Sequence, residues 1–247
     1  GIDVQKNGFW FVVRAWGPDL KSWLIHYGFL ETWDDVEKLL YETAYPVAET
    51  GRTMRIFRAC IDTGGGDKYE GGISMTDNTY YWLVKNYGRG GVRILGVKGS
   101  SNHADPTLHK SKKPLTDSQA RPLPISLWII NTQTMKDQFH YRIERAAKED
   151  TRHYPEAAFL HCETGADYAA QILAEEKQIT EKGTEKWVNV HQRPNHLLDA
   201  EVYCMACVDM QFPGGGLRIV AGMRQEEKPQ GRRVISAGVS ETGWFKR

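Results

Sequence analysis

The sequence lacks several features that would assign a protein to a class at once. Its 247 residues contain no apolar run near the roughly 18 residues that a membrane helix needs, and no signal peptide is visible. They contain no Gly-x-x-x-x-Gly-Lys-Ser/Thr motif, so a P-loop ATPase is absent from this sequence. The formal net charge is only +1, and binding to nucleic acid would therefore need a local basic face. There is no initiating Met, and we interpret the sequence as a fragment or an excised domain.

Cysteine is also scarce, with 4 residues in the chain. Cys204 and Cys207 have the spacing of half a zinc site, but they fall in an apolar helical run. Cys60 and Cys162 stand alone in strand-like runs. We therefore expect buried, reduced thiols rather than zinc ligands or disulfides, which fits a reducing, cytoplasmic setting.

What the sequence does contain is an alternation of strand and helix signals. Short apolar runs that end at turn-forming residues predict strands at 2–5, 9–16, 22–29, 54–61, 92–97 and 125–130. Apolar residues at helical spacing predict helices at 35–45, 76–87, 134–148, 164–176 and 195–210. We expect a hairpin from 178–181 and 186–191, and loops at 64–72 and 100–124. These signals divide the chain into one folded domain, 1–212, and a weakly structured tail, 213–247.

Three aspartates fall at informative places in this order. Asp62 ends a core strand directly before a glycine-rich loop, Asp3 lies in the first strand, and Asp199 lies in the last helix. An antiparallel hairpin followed by crossover connections is the order of the ribonuclease H-like α/β fold, a mixed sheet flanked by helices. In that fold the metal-binding acids lie on the first strand, the fourth strand and a later helix. Asp3, Asp62 and Asp199 occupy those places.

Carboxylates without His or Cys ligands suit hard divalent cations. Two Mg²⁺ or Mn²⁺ ions about 3.5–4 Å apart activate water and neutralise charge during phosphodiester hydrolysis. We expect Asp3 to bridge both ions, with Asp62 and Asp199 each completing one site. The alternative is that Asp62 and Asp199 are helix caps or surface acids.

Several motifs occur together in the order and spacing of one protein family. They are Asp3-Val4-Gln5-Lys6, Trp16-Gly17, Ser22-Trp23-Leu24-Ile25, Ile61-Asp62-Thr63-Gly64-Gly65, Val97-Lys98-Gly99, Asn131-Thr132 with Lys136, His153-Tyr154-Pro155, Gln171-Ile172-Leu173-Ala174-Glu175 and Arg193-Pro194-Asn195-His196-Leu197-Leu198-Asp199. With these motifs the chain resembles the nuclease domain of phage terminase large subunits, of the lambda-like branch, over nearly all of residues 1–210. His196 departs from the family pattern, in which an acidic residue is common at that place.

The resemblance implies a metal-dependent DNA endonuclease that cuts concatemeric viral DNA during genome packaging, in the cytoplasm of the infected bacterial host. It implies double-stranded DNA, a small terminase subunit and the portal as partners, an N-terminal ATPase domain absent from this chain, and no membrane. Two other interpretations stay open. One is another ribonuclease H-like nuclease, of the resolvase or integrase type, and the other is a non-catalytic domain that docks on DNA or the portal.

Two further residues are candidates for catalysis. Lys98 ends the strand after Asp62 and is placed to reach the scissile phosphate, although a solvated lysine explains it equally well. His196 lies three residues before Asp199, so the two share a helix face. We consider a contact of His196 with substrate or a role in proton transfer, against a merely polar residue near the helix start.

Basic residues in and after the polar stretch are candidates for contacts with the DNA backbone, because they neutralise phosphates without reading sequence. A solvated, flexible loop is the alternative for the lysines. The candidates are Lys110, Lys112, Lys113, Arg121 and Arg142.

Overall fold

The computed structural model describes residues 1–17, 19–64, 74–148, 156–181, 183–219 and 222. All but the first residue of the loop expected at 64–72 lies outside these ranges, as do His153-Tyr154-Pro155. Residues 223–247 lie outside them too, so the division into a domain, 1–212, and a tail, 213–247, stays a prediction.

The described residues form strands and helices in the alternation that the sequence predicts. The strands are β1 (Ile2–Gln5), β2 (Gly8–Trp16), β3 (Ser22–Leu30), β4 (Tyr45–Val47), β5 (Arg52–Met54), β6 (Arg58–Asp62), β7 (Arg93–Ser100), β8 (Leu108–Lys110), β9 (Leu127–Asn131), β10 (Ala158–Phe159), β11 (Glu176–Ile179) and β12 (Glu185–Val188). The helices are α1 (Trp33–Glu37), which continues as a π-helical turn (Lys38–Glu42), α2 (Met75–Lys85), α3 (Thr132–Ala146), α4 (Ala166–Ile172) and α5 (His196–Ala206).

Eight of the strands form one mixed sheet in the order β10-β3-β2-β1-β6-β7-β9-β8. Strand β2 is antiparallel to both β1 and β3, whereas β1, β6, β7 and β9 run parallel. The edge strands add one parallel pair, β10 with β3, and one antiparallel pair, β8 with β9. This mixed sheet, flanked by helices, has the ribonuclease H-like fold that the order of elements predicts.

The sheet separates two apolar cores, which fixes where the aspartates point. One core contains Cys60 and the buried side of α5, and the other contains Ile2 and Ile61 with α1 and α2. Side chains alternate between the faces of a strand. Asp62 therefore points to the α5 side with Cys60, and Asp3, which follows Ile2, points to the same side.

Helix α5 is fixed against the sheet by a buried ion pair. Arg14 on β2 donates from Nε to Glu201 Oε2 at 2.5 Å, and both side chains are essentially inaccessible. The Tyr168 hydroxyl of α4 donates to Glu201 Oε1 at 2.5 Å. Arg14 also donates to Ser22 Oγ at 3.3 Å and to the Phe159 carbonyl at 3.2 Å. Because Glu201 lies two residues after Asp199, the same contacts set the rotation of α5 that aims Asp199.

The helix predicted at 164–176 ends at Ile172, before β11 begins at Glu176, and two further segments differ from the expectation. The sequence predicts a loop over 100–124, but Leu108–Lys110 form the edge strand β8, with Leu108 opposite Ile130 and fully buried. The core strand predicted at 54–61 begins only at Arg58, since Arg52–Met54 pair with β4 instead. Both short strands depend on pairing with a partner strand, which local patterns do not reveal.

The cysteine prediction is confirmed for three of the four residues. Cys60, Cys204 and Cys207 are free and buried, but Cys162 is free and exposed. The prediction is wrong for Cys162 because this residue lies in a turn after the two-residue strand β10 rather than inside a core strand.

The first residues of the expected tail pack on the domain. Arg58 donates to the Gly215 carbonyl at 2.8 Å, and Arg93 donates to the Pro213 carbonyl at 3.3 Å. Phe212, directly before them, is buried in the α5-side core. Residues 213–215 are therefore packed against the domain. None of the helices in the described part of the chain is long and apolar enough to cross a membrane.

Candidate active site

The three predicted acids lie together at the carboxyl end of the central strands. Strands β1 and β6 are parallel neighbours with Ile2 opposite Ile61, so Asp3 stands beside Asp62, with about 4.8 Å between the strands. Asp3 is 3% exposed and Asp62 is 8% exposed. Asp199 approaches from α5, which packs across β1, β2 and β6.

The charges of the three acids act on one another. Burial raises the pKa of Asp62 to about 7. The hydrogen bond from the Gly64 N–H lowers this pKa, whereas the charges of Asp3 and Asp199 raise it further. Burial also raises the pKa of Asp199 to about 6, although Lys136 acts in the opposite direction. The site therefore disfavours the ionisation of Asp62 and Asp199, and a cation bound there would favour their charged forms.

Two of the acids are held by hydrogen-bonding groups close to them in the fold. Asp3 Oδ2 accepts from Gln5 Nε2 at 2.8 Å and lies 2.9 Å from His196 Nδ1. Asp62 Oδ1 accepts from the Gly64 N–H at 3.0 Å. These contacts fix the direction of both carboxylates before any ligand binds.

His196 is the first residue of α5, and its ring contacts Asp3. The ring stacks on Trp10 of β2, with ring centroids 5.8 Å apart and an interplanar angle of 11°. The hydrogen bond to Asp3, opposed by partial burial, raises the pKa of His196 above its usual value. The geometry brings His196 into the site, as the helix spacing predicts, and gives it a direct partner among the acids.

Asp199 is held by Lys136 and Asn195, which the sequence indicates only as motif residues and not as partners of this acid. Lys136 Nζ of α3 lies 3.1 Å from Asp199 Oδ1 and 2.6 Å from Glu175 Oε1. Asn195 Nδ2 lies 3.1 Å from Asp199 Oδ2 and 2.7 Å from Glu175 Oε1. The sequence does indicate that Lys136 is buried, because it lies beside Met135 on the core-facing side of α3.

Lys98 is not brought to the acids. Leu95 and Val97 of β7 belong to the α5-side core, and Ile94 packs on the opposite core. Side chains alternate along β7, so Lys98 points to the α2 side, where it is exposed. The contact of Lys98 with the scissile phosphate stays a prediction. The direction of its side chain, away from the three acids, does not favour that contact.

The candidates for DNA contacts fall into two groups. Lys110 at the end of β8, Lys112 and Lys113 are exposed at the edge of the sheet. Arg121 pairs with Asp117 at 2.6 Å. Arg142 is only 8% exposed, lies over the Trp16 ring and donates to the Leu20 carbonyl at 3.4 Å. Because Arg142 is buried, it is poorly placed to contact a phosphate, whereas the three lysines are accessible to DNA.

The donor set suits a hard divalent cation, since it offers carboxylate oxygens without thiolate ligands. Among the described residues, no three His, Cys, Asp or Glu side chains are already arranged around one point as metal ligands. In this structure His196 and Lys136 supply the positive or donor groups that face Asp3 and Asp199. The chemistry of the residues fits metal binding, and their present contacts must rearrange for it.

Most of the chain matches a known protein family. Residues 1–214 match the family described as the endonuclease domain of the terminase large subunit gpA. The chain is 28% identical over 244 residues to the terminase large subunit of Escherichia phage lambda, covering 92% of this chain and 35% of that protein. The chain thus spans about a third of the length of this curated relative. No solved structure matches at a significant level.

Proposed function

The chain belongs to the endonuclease-domain family of the terminase large subunit gpA, and from that premise we propose that it is a divalent-metal-dependent DNA endonuclease. The observation that carries the proposal is the meeting of Asp3, Asp62 and Asp199 on one side of the central sheet. Three mutually repelling, poorly solvated carboxylates destabilise a fold. Bound cations would compensate the repulsion between these carboxylates, which explains their arrangement.

The acids are proposed to hold two Mg²⁺ or Mn²⁺ ions, Asp3 between them and Asp62 and Asp199 on either side. When bound, such ions would activate a water and neutralise charge on the attacking and leaving oxygens of the phosphodiester. His196 keeps the Asp3 carboxylate in place, and that contact raises the pKa of the His196 ring. Gln5 and Gly64 orient Asp3 and Asp62.

The proposed substrate is double-stranded, concatemeric viral DNA, cut during genome packaging in the cytoplasm of the infected host. Lys110, Lys112 and Lys113 would contact the phosphate backbone without reading sequence. An N-terminal ATPase domain, the small terminase subunit and the portal are proposed partners. They follow from the family and from the 35% of the longer relative that this chain covers.

Plasmid cleavage in Mn²⁺, Mg²⁺ or EDTA tests the proposal. We expect metal-dependent nicking and linearisation by the unaltered chain, and a loss of at least about 100-fold in Asp62→Asn and Asp199→Asn. Asp34→Asn, which changes an exposed acid at α1, is the matched control and should keep full activity. Cleavage confined to branched DNA would favour a resolvase-type enzyme. No cleavage with either metal would favour a non-catalytic docking domain.

A further inference from the structure

Lys136 is a buried cation held between two carboxylates at the proposed active site. It is 5% exposed, although lysine is rarely buried without a partner. Its ammonium lies within 3.1 Å of the carboxylates of Asp199 and Glu175, which compensate its charge. The site therefore contains a positive charge of its own at the position of the third acid.

The two carboxylates hold this charge unequally. Lys136 Nζ lies 2.6 Å from Glu175 Oε1 and 3.1 Å from Asp199 Oδ1. Glu175 is itself buried, with its side chain 5% exposed, and the amide nitrogen of Asn195 contacts both Glu175 and Asp199. Lys136 can thus leave Asp199 and keep a charged partner. The ammonium repels a second cation that binds Asp199 while it remains against this carboxylate.

We propose that Lys136 is a positioning residue that holds Asp199 in the metal-free site, gives way to a divalent cation, and is retained by Glu175 when it does. The inference rests on the proposed function, since it assigns a role to residues around the proposed metal ligands. Under this proposal Glu175 is not a metal ligand. Glu175 acts on metal binding only through Lys136.

Binding of Mn²⁺ to the 247-residue chain, followed by the electron paramagnetic resonance signal of free Mn²⁺, tests this role without any cleavage assay. Lys136→Met removes the competing charge, so we expect Mn²⁺ to bind at least about tenfold more tightly. Lys136→Arg keeps the charge and is the matched control, with an affinity within about threefold of the unaltered chain. Lys136→Gln provides a second uncharged replacement if the Met variant does not fold.

Glu175→Gln gives the opposite result under this proposal. Asp199 becomes the only carboxylate partner of Lys136, so Mn²⁺ should bind about three- to tenfold more weakly. The same change in a Lys136→Met background should have little effect, because the residue through which Glu175 acts is gone. If Glu175→Gln weakens binding equally in both backgrounds, Glu175 is a direct ligand and the proposal is overturned.

Mn²⁺ binding by the variants distinguishes a failure of the role of Lys136 from a failure of the proposed metal site. If the unaltered chain binds Mn²⁺ and Asp62→Asn abolishes binding, the metal site stands. Unchanged or weaker binding by folded Lys136→Met would then overturn the role of Lys136 alone. A chain that binds no Mn²⁺ at all overturns both.

Discussion

The charge of Asp62 depends strongly on its surroundings, because burial and neighbouring carboxylates both oppose its ionisation. A carboxyl with a higher pKa in the folded chain stabilises the fold while it is protonated. That stabilisation is fully present below the unfolded value, about 4, and is lost as pH rises through the folded value, about 7. The metal-free site is therefore least favourable to the fold at neutral and alkaline pH.

This dependence predicts a stabilising substitution. In EDTA, Asp62→Asn should become more stable than the unaltered chain as pH rises from about 5 to about 8, by on the order of 2–4 kcal/mol. Thermal unfolding at both pH values measures the difference. Added Mg²⁺ at the higher pH should raise the melting temperature of the unaltered chain only. Parallel pH curves for the two proteins would show that Asp62 ionises normally.

His196 should matter through its bond to Asp3. We expect His196→Ala to slow plasmid cleavage about 10- to 100-fold, the usual cost of removing a residue that orients a metal ligand. His196→Asn places an amide nitrogen near the position of Nδ1 and should retain part of the activity. Cleavage at a series of Mg²⁺ concentrations measures both variants. Equal losses in Ala and Asn would instead indicate proton transfer by the ring.

Single residues also show how far the sequence leads. The order of strands and helices predicts that Asp3, Asp62 and Asp199 meet, helix spacing adds His196, and the structure places these four close together. The contact of Lys136 with Asp199 was not predictable, since a lysine is normally solvated and a motif position does not identify its partner. The direction of Lys98 depends on the pairing of β7, which residue type does not determine.

At the scale of elements, the position of α5 depends on its buried ion pair with β2. A buried pair contributes little net stability compared with apolar residues, but removal of one partner leaves a charge without compensation. Arg14 and Glu201 therefore specify how α5 is rotated more than how strongly it is bound.

Urea unfolding of three variants tests this view. Arg14→Met and Glu201→Leu should each destabilise the chain by about 3–5 kcal/mol. The double variant should recover much of that stability, because no buried charge is left alone. If the two losses simply add, the pair is not coupled and some other contact positions α5.

The lysines at and after the end of β8 form a second testable element. Charge reversal of Lys110, Lys112 and Lys113 to Glu should weaken DNA binding and flatten its salt dependence, by a slope of about 0.9 for each phosphate that is no longer neutralised. Lys85→Glu, which changes an exposed lysine on α2, is the control. Fluorescence anisotropy over a range of salt concentrations measures both effects. An unchanged slope would leave these lysines as solvated surface residues.

Helices with a long apolar period were predictable, whereas the three-residue strands were not. Helices α3 and α5 begin within two residues of their predicted starts, and both are preceded by an Asn that the sequence places there. Strands β5 and β8 have three residues each, too few for a period, and exist only because a partner strand pairs with them. Such strands are decided by tertiary contacts rather than by local sequence.

For the whole molecule, the expected tail can be tested by deletion. The family match ends at residue 214, and the packing contacts of Arg58 and Arg93 reach Pro213 and Gly215. We expect a chain of residues 1–222 to keep its melting temperature within about 3 °C and its cleavage rate within about twofold. A large reduction of either would place part of 223–247 within the functional domain.

The acids also come from distant parts of the sequence, with Asp3 in β1 and Asp199 in α5. Domains begin to fold while the ribosome is still synthesising them. A nascent chain can assemble β1, β2 and β3 early, but it has no third acid until α5 has left the exit tunnel. The proposed cleavage therefore requires the synthesis of α5, and a chain that ends before Asp199 should not cut DNA.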